Sequence, residues 1–275
     1  MTAAAPPLPA PDDLLELAVA VAREAADLVA RGRASAGEQV DVKSSPVDVV
    51  TAVDTASERL IVGRLTAARP DDGVLGEEGA SRAGTSGVRW VVDPIDGTVN
   101  FLYGVPAYAV SIAAEVDGVV RAGVVLNVAN GELFTATSGG GAFLSCPERP
   151  EPVRLTGSSP VSLEQTLVAT GFGYRAEQRR VQGAVVARLL PQVRDIRRFG
   201  SAALDLCAAA AGRVDAYYEL ELNPWDHAAG ALVAAEAGLV VTGLPGRRFA
   251  EPMAIAAAAS IAGPFVELVA GLHAG

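Results

Sequence analysis

The segment Trp90 to Phe101, WVVDPIDGTVNF, carries the densest chemistry in the chain. An apolar run ends in Asp93-Pro94-Ile95-Asp96-Gly97-Thr98, so two carboxylates three residues apart leave a strand end on a loop whose φ is fixed by Pro94. Gly97 lets backbone approach a ligand closely, and the Gly97 and Thr98 amides point at an anion if a tight turn or helix follows. A second acidic group, Gly76-Glu77-Glu78-Gly79, also follows a short apolar run. A third, Asn223-Pro224-Trp225-Asp226-His227, places Asp226 at the start of a helix with a small, apolar face. Taken singly, each has an ordinary reading as a surface turn or as an N-terminal helix carboxylate, the latter worth under about 1 kcal/mol. Taken together, Glu77, Asp93, Asp96 and Asp226 are carboxylates at element ends. Gathering them is unfavourable because like charges disfavour each other's ionised forms, and a hard divalent cation reverses that cost. Magnesium takes oxygen ligands, keeps several waters and is completed by substrate phosphate, which suits a phosphate ester.

The elements that must position these groups are legible in outline. The apolar spacing of Leu14, Ala18, Val21, Ala25 and Leu28 predicts a helix from a cap at Asp12 to about Arg31. A second helix is expected to begin at Asp54 or Thr55, with Thr55 and Glu58 as a capping box, and to run to about Ala68. Strands are expected at Gly73 to Leu75 and Arg89 to Val92. From Ala107 to Leu144 β-rich runs separated by Asp117-Gly118 and Asn130-Gly131 predict an antiparallel meander. The Pro- and charge-rich stretch Cys146 to Pro152 reads as a boundary. Beyond it, strands at 167–170, 214–218 and 253–257 alternate with helical patterns at 177–190, 201–211, 225–237 and 261–272, an α/β arrangement.

Bulk properties narrow the function. A chain of 275 residues that is half hydrophobic supports a sizeable core, and a net charge of -10 makes nucleic acid and anionic membrane poor partners. The same acidity requires a cation before an anionic substrate can be held. Cys146, in an expected loop, and Cys207, in an Ala-rich helix, read as reduced thiols. No signal peptide or membrane-length apolar run is recognisable, so a cytoplasmic protein is expected.

The order and spacing of KSSPVDVVTAVDTASE (Lys43 to Glu58), GEEG, DPIDGTVNF, GSAALDLC (Gly200 to Cys207), DAYYE (Asp215 to Glu219) and WDHAAG (Trp225 to Gly230) resemble the inositol monophosphatase family, most of all its bacterial inositol-1-monophosphatases. One departure is Leu239 after Gly238, where many members carry a second Gly. The resemblance implies the sugar-phosphatase αβαβα layered sandwich: an α+β half over 1–150 with the metal and phosphate loop, and an α/β half over 151–275 with the substrate-selecting residues and last metal ligand. It implies Mg2+, two or three ions per active site. By resemblance, Glu77, Asp93 and the Ile95 carbonyl hold the first ion, and Asp93, Asp96 and Asp226 the second. Glu77 and Thr98, with Asp54 behind Thr98, activate a water for direct attack on phosphorus, and the Gly97 and Thr98 amides bind phosphate. The first ion lowers the water's pKa and the second stabilises the leaving alkoxide. Asp96, Gly200, Ser201, Ala202 and Glu219 match positions that contact polyol hydroxyls. Arg197 or Arg198 steadies the substrate or a dimer contact, or is solvated. Lys43 matches a family Lys, with an exposed loop Lys as its ordinary reading. His227 reads as packing or surface, and His273 as uninvolved.

The resemblance also implies a homodimer, lithium sensitivity and a small phosphate ester as substrate. Two other functions stay open at this level: a phosphatase of the same fold acting on histidinol phosphate, fructose-1,6-bisphosphate or a phosphoadenosine, and a binding partner of the transcription machinery.

Overall fold

In the computed structural model, which describes residues 9–33, 40–45 and 48–274, the first amphipathic segment forms helix α1 (Pro11–Gly32). Its buried stripe is Leu14, Ala18, Val21 and Ala25 with Ala22, Ala26 and Val29, while Leu28 is only half-buried. The cap expected at Asp12 falls to Ala10, which has no capping side chain, because Pro11 already opens the helix. Strands β1 (Val40–Ser45) and β2 (Asp48–Thr51) pair antiparallel and lead into α2 (Ala52–Ala68). Here the expected start is corrected: Thr51 is the N-cap and Thr51 with Asp54 makes the capping box, so Glu58 is not a capping residue.

Strands β3 (Gly73–Gly76), β4 (Ser81–Arg82) and β5 (Val88–Asp96) precede a short helix α3 (Thr98–Tyr103). The predicted meander follows as β6 (Ala109–Val116), β7 (Val119–Asn127), β8 (Leu133–Thr137) and β9 (Gly141–Cys146). Asp117 and Gly118 both have positive φ, 51° and 78°, as the tight hairpin turn requires. The stretch from Cys146 to Pro152 forms a further hairpin with β10 (Arg149–Arg154), so Cys146 lies on a strand and the first sheet continues to Arg154. Pro150 and Pro152 are tolerated there because β10 is an edge strand. The sheet order is β10-β9-β8-β7-β6-β5-β3-β4.

The second half runs β11 (Leu167–Thr170), α4 (Ala176–Leu189), β12 (Asp195–Arg197), α5 (Ala202–Ala210), β13 (Ala216–Leu220), α6 (Pro224–Glu236), β14 (Val240–Thr242), β15 (Met253–Ala257) and α7 (Ala262–Ala274). Its five strands order β12-β11-β13-β15-β14, with β11 parallel to both neighbours and β15 antiparallel to both of its own. Strands β12 and β14, three residues each, are too short to show a period in sequence.

Alternation along the first sheet builds the layers. Trp90, Val92, Val110, Ile112 and Ala114 point to α1 and α2, whereas Val91, Ala109 and Ala113 point to α5 and α6. The inner face carries small residues, which lets α6 lie close: a Cβ at Gly123 would meet the Ala229 Cα at 3.0 Å. A third core joins the second sheet to α4 and α7 through Val185, Leu189, Phe265 and Val269. The result is helices, sheet, helices, sheet, helices: the expected αβαβα sandwich. The departing Leu239 is buried in the middle layer.

Candidate active site

Parallel pairing of β3 and β5 puts their C-terminal ends side by side, with Gly76 opposite Val92. Glu77 therefore emerges next to Asp93, and its amide donates to the Val92 carbonyl at 3.3 Å. The turn after Glu77 is fixed from α2: the buried Glu58 carboxylate accepts from the Glu78 amide at 2.8 Å and the Ala80 amide at 3.0 Å. Any side chain at Gly76 would overlap that carboxylate. Glu58→Ala strands two half-buried amides, so the protein is expected to lose about 1–3 kcal/mol of stability in chemical denaturation, with kcat falling as Glu77 loosens.

The segment expected as a loop is the end of β5, bulged between Asp93 and Asp96, and it is held from the same helix. Ser57 Oγ donates to the Pro94 carbonyl at 3.2 Å, and the Ile95 amide donates to Asp93 Oδ1 at 3.0 Å. Gly97 sits at φ 92°, where a Cβ would meet the Ala107 carbonyl oxygen at 2.9 Å and the Gly200 carbonyl oxygen at 3.1 Å, so this turn needs glycine. Thr98 Oγ1 lies 3.0 Å from Asp54 Oδ1 and 3.1 Å from the Ile95 carbonyl oxygen. Asp54 Oδ2 in turn accepts from the Thr51 amide at 2.9 Å and from the Thr51 hydroxyl.

The second half closes the site. Ser201 caps α5 by accepting from the Leu204 amide at 3.2 Å, and its hydroxyl donates to Asp96 Oδ2 at 2.5 Å. The Ala203 amide adds a bond to the same oxygen at 2.7 Å. Asp226 is both things its position suggested: its Oδ2 accepts from the Asn223 amide at 2.6 Å in a capping box, and it faces the site.

One cavity of about 850 Å³ is lined by Glu77, Asp93, Ile95, Asp96, Gly97, Thr98, Gly200, Ser201, Ala202, Glu219 and Asp226. Asp54 stands behind Thr98. Arg197 pairs with Asp195 at 2.5 Å and does not line the cavity, whereas Arg198 lines it with its guanidinium 6.0 Å from the Phe172 ring centre. Successive side chains at a strand end point to opposite sides, so the structure chooses between the two arginines. Lys43 falls on β1, and its side chain lies outside the described residues. His227 packs edge-on to Phe249 at 5.1 Å and burial pushes its pKa down to about 4. His273 packs against Tyr218, 6.0 Å between ring centres.

The electrostatics are those of crowded acids. Asp93 is buried and held well above the usual carboxylate range, first by burial and then by Glu77, Asp96 and Asp226, and it is hydrogen-bonded to Glu77. Asp226 is raised likewise by burial and Asp96. Asp96 is pushed up to about 6 by burial, against the hydrogen bonds from Ser201 and Ala203. Glu219 is raised by burial to about 7. Among the described residues no three acidic, histidine or cysteine groups form a ready-made ligand cluster. The donor set is oxygen only and mutually repelling, with Asp93 and Asp96 buried and Glu77 and Asp226 half-buried, which fits a hard divalent cation.

Ser57 and Glu58 were missed as site residues. Their signal was present: Asp54, Ser57 and Glu58 share the buried face of α2 with Ile61 and Leu65, polar groups standing where apolar ones belong.

The sequence model of the Inositol monophosphatase family matches residues 10–272. The chain belongs to the inositol monophosphatase family. This family member is 49% identical over 245 residues to the inositol-1-monophosphatase of Mycobacterium leprae, covering 84% of each chain. It is 40% identical over 235 residues to the Nus factor SuhB of Escherichia coli, covering 85% of this chain and 86% of that one. The solved structure of Mycobacterium tuberculosis SuhB superposes with a TM-score of 0.82 at 44% identity, covering 96% of this chain and 98% of the other. This inositol monophosphatase family member is accordingly a phosphoric monoester hydrolase acting on a small phosphate ester. Among its described residues no helix is long and apolar enough to cross a membrane.

Proposed function

We propose that the chain hydrolyses myo-inositol monophosphate to inositol and phosphate with magnesium as cofactor, in the cytoplasm. The observation that carries this reading is the meeting of Asp226 on α6 with Glu77, Asp93 and Asp96 around a cavity that also holds Glu219. Glu77, Asp93 and the Ile95 carbonyl would hold one ion, and Asp93, Asp96 and Asp226 another. Bound magnesium supplies the charge that offsets the carboxylates' repulsion and polarises water and phosphoryl oxygens. The Thr98 hydroxyl has one proton, given to Asp54 or to the Ile95 carbonyl, so its oxygen is left to accept a proton from water in the cavity. Glu77 is the second acceptor for that water. The Gly97 and Thr98 amides bind the phosphate, and Asp96, Glu219 and the Gly200 to Ala202 turn bind the polyol.

Direct attack by water is supported by the cavity's composition. Among the described residues lining it there is no Cys or His, and the Ser201 hydroxyl is engaged by Asp96. The test is a comparison of kcat/KM across myo-inositol 1-phosphate, histidinol phosphate, fructose-1,6-bisphosphate and a phosphoadenosine. Inositol phosphate is expected to rank first, with chelator abolishing turnover and added magnesium raising the melting temperature. A higher kcat/KM on another of these esters replaces the assignment.

A second reading, a binding role with the transcription machinery, rests on the Escherichia coli relative named as a Nus factor. It is tested with an Asp93→Asn protein: full support of cellular function without turnover favours the binding role.

A further inference from the structure

Glu219 reaches the cavity from β13, and its setting is more constrained than a surface carboxylate's. Tyr217, two residues earlier on the same face of β13, is fully buried, and its hydroxyl donates to Glu219 Oε2 at 2.8 Å. On the other side lies Gly171, at the end of β11: a Cβ built there would coincide with the Glu219 carboxylate. The side chain therefore has a donor holding one oxygen and a residue without a side chain making room for both. With Oε2 taken by the phenol, Oε1 is the oxygen left to accept from a ligand hydroxyl in the cavity that Glu219 lines.

We infer that Tyr217 and Gly171 are positioning residues for polyol recognition: together they lock the Glu219 carboxylate with Oε2 on the phenol and Oε1 presented to a substrate hydroxyl. This rests on the proposed role of Glu219 as the polyol contact. A tyrosine is suited to the task because it gives Glu219 one proton from a rigid ring and needs no movement to do so. A phenylalanine keeps the ring and removes only that proton. Without it, Glu219 samples other orientations and the polyol's hydrogen bond loses its fixed acceptor. A phosphate ester lacking hydroxyls does not use that acceptor, so the two kinds of substrate separate the roles.

The experiment measures kcat and KM of the magnesium-loaded protein on myo-inositol 1-phosphate and on 4-nitrophenyl phosphate, for the parent, Tyr217→Phe, Gly171→Ala and Glu219→Gln. The ratio of the two kcat/KM values is expected to fall about tenfold in Tyr217→Phe, chiefly through KM for the inositol ester. Gly171→Ala is expected to lower the same ratio by displacing the carboxylate. A ratio that falls in Glu219→Gln but holds in Tyr217→Phe overturns the positioning role and leaves the polyol contact standing. A ratio unchanged in Glu219→Gln overturns the polyol contact itself and the inference with it. Equal losses of kcat on both esters in Tyr217→Phe also overturn it, because they mark a merely structural tyrosine.

Discussion

Asp93→Asn is expected to lower kcat/KM by about 10³-fold or more, while raising the melting temperature of the metal-free protein. Asp93 is the acid that Glu77, Asp96 and Asp226 all act upon, and the proposed ligand set uses it for both ions. Asparagine keeps the Oδ1 that accepts from the Ile95 amide at 3.0 Å, so the loop is retained. What disappears is the negative charge. Catalysis then lacks a shared ligand, and the folded state no longer confines as many like charges away from water. The two effects have opposite signs, which distinguishes a site built around a cation from a carboxylate kept for structure. Steady-state assays, with thermal melts in chelator, read both. Activity within tenfold of the parent, or a lower metal-free melting temperature, contradicts the account.

The second large effect is expected from Glu77→Gln. Here kcat falls by about 10²–10⁴-fold, the span usual for loss of a positioned general base, while KM stays within a few-fold. The reason is position. Glu77 leaves β3 beside Asp93 and shares the cavity with Thr98, on the side proposed to hold the water, whereas the polyol contacts come from the Gly200 to Ala202 turn and β13. Removing its charge weakens proton transfer more than substrate binding. Unchanged kcat, or a rise in KM that accounts for the whole loss, removes Glu77 from that role. Comparison with Glu58→Ala is informative, since the Glu58 carboxylate accepts from the Glu78 and Ala80 amides of the Glu77 turn and its loss is expected to show first in stability.

Much of this was legible without coordinates. Strand β5 reads as buried from the apolar run Trp90 to Val92, and Pro94 and Gly97 beyond that run announce a fixed, tight turn, although strand pairing continues to Asp96. The meander was legible from Asp-Gly and Asn-Gly turns, whose backbone preferences are local. The start of α2 was misread for a reason equally local. Thr51 with Asp54 and Thr55 with Glu58 both satisfy the capping pattern, and only the pairing of β1 with β2, which ends at Thr51, decides between them. The hairpin at Cys146 to Arg154 hid behind prolines that an edge strand accepts.

The sequence by itself determined which residue types are present, their order, and the elements that deliver Glu77, Asp93, Asp96 and Asp226 at their ends, because helix and strand periods and turn preferences act over a few neighbouring residues. Only the tertiary structure decided that Asp226 meets Asp96 across the two halves, that Arg198 rather than Arg197 faces the cavity, that Glu58 braces the Glu77 turn, and that Tyr217 holds Glu219. Those outcomes depend on the packing of α2 and α6 against opposite faces of one sheet. Contacts between residues tens of positions apart leave no period in the chain, so the direction in which a side chain points is settled only when the layers close.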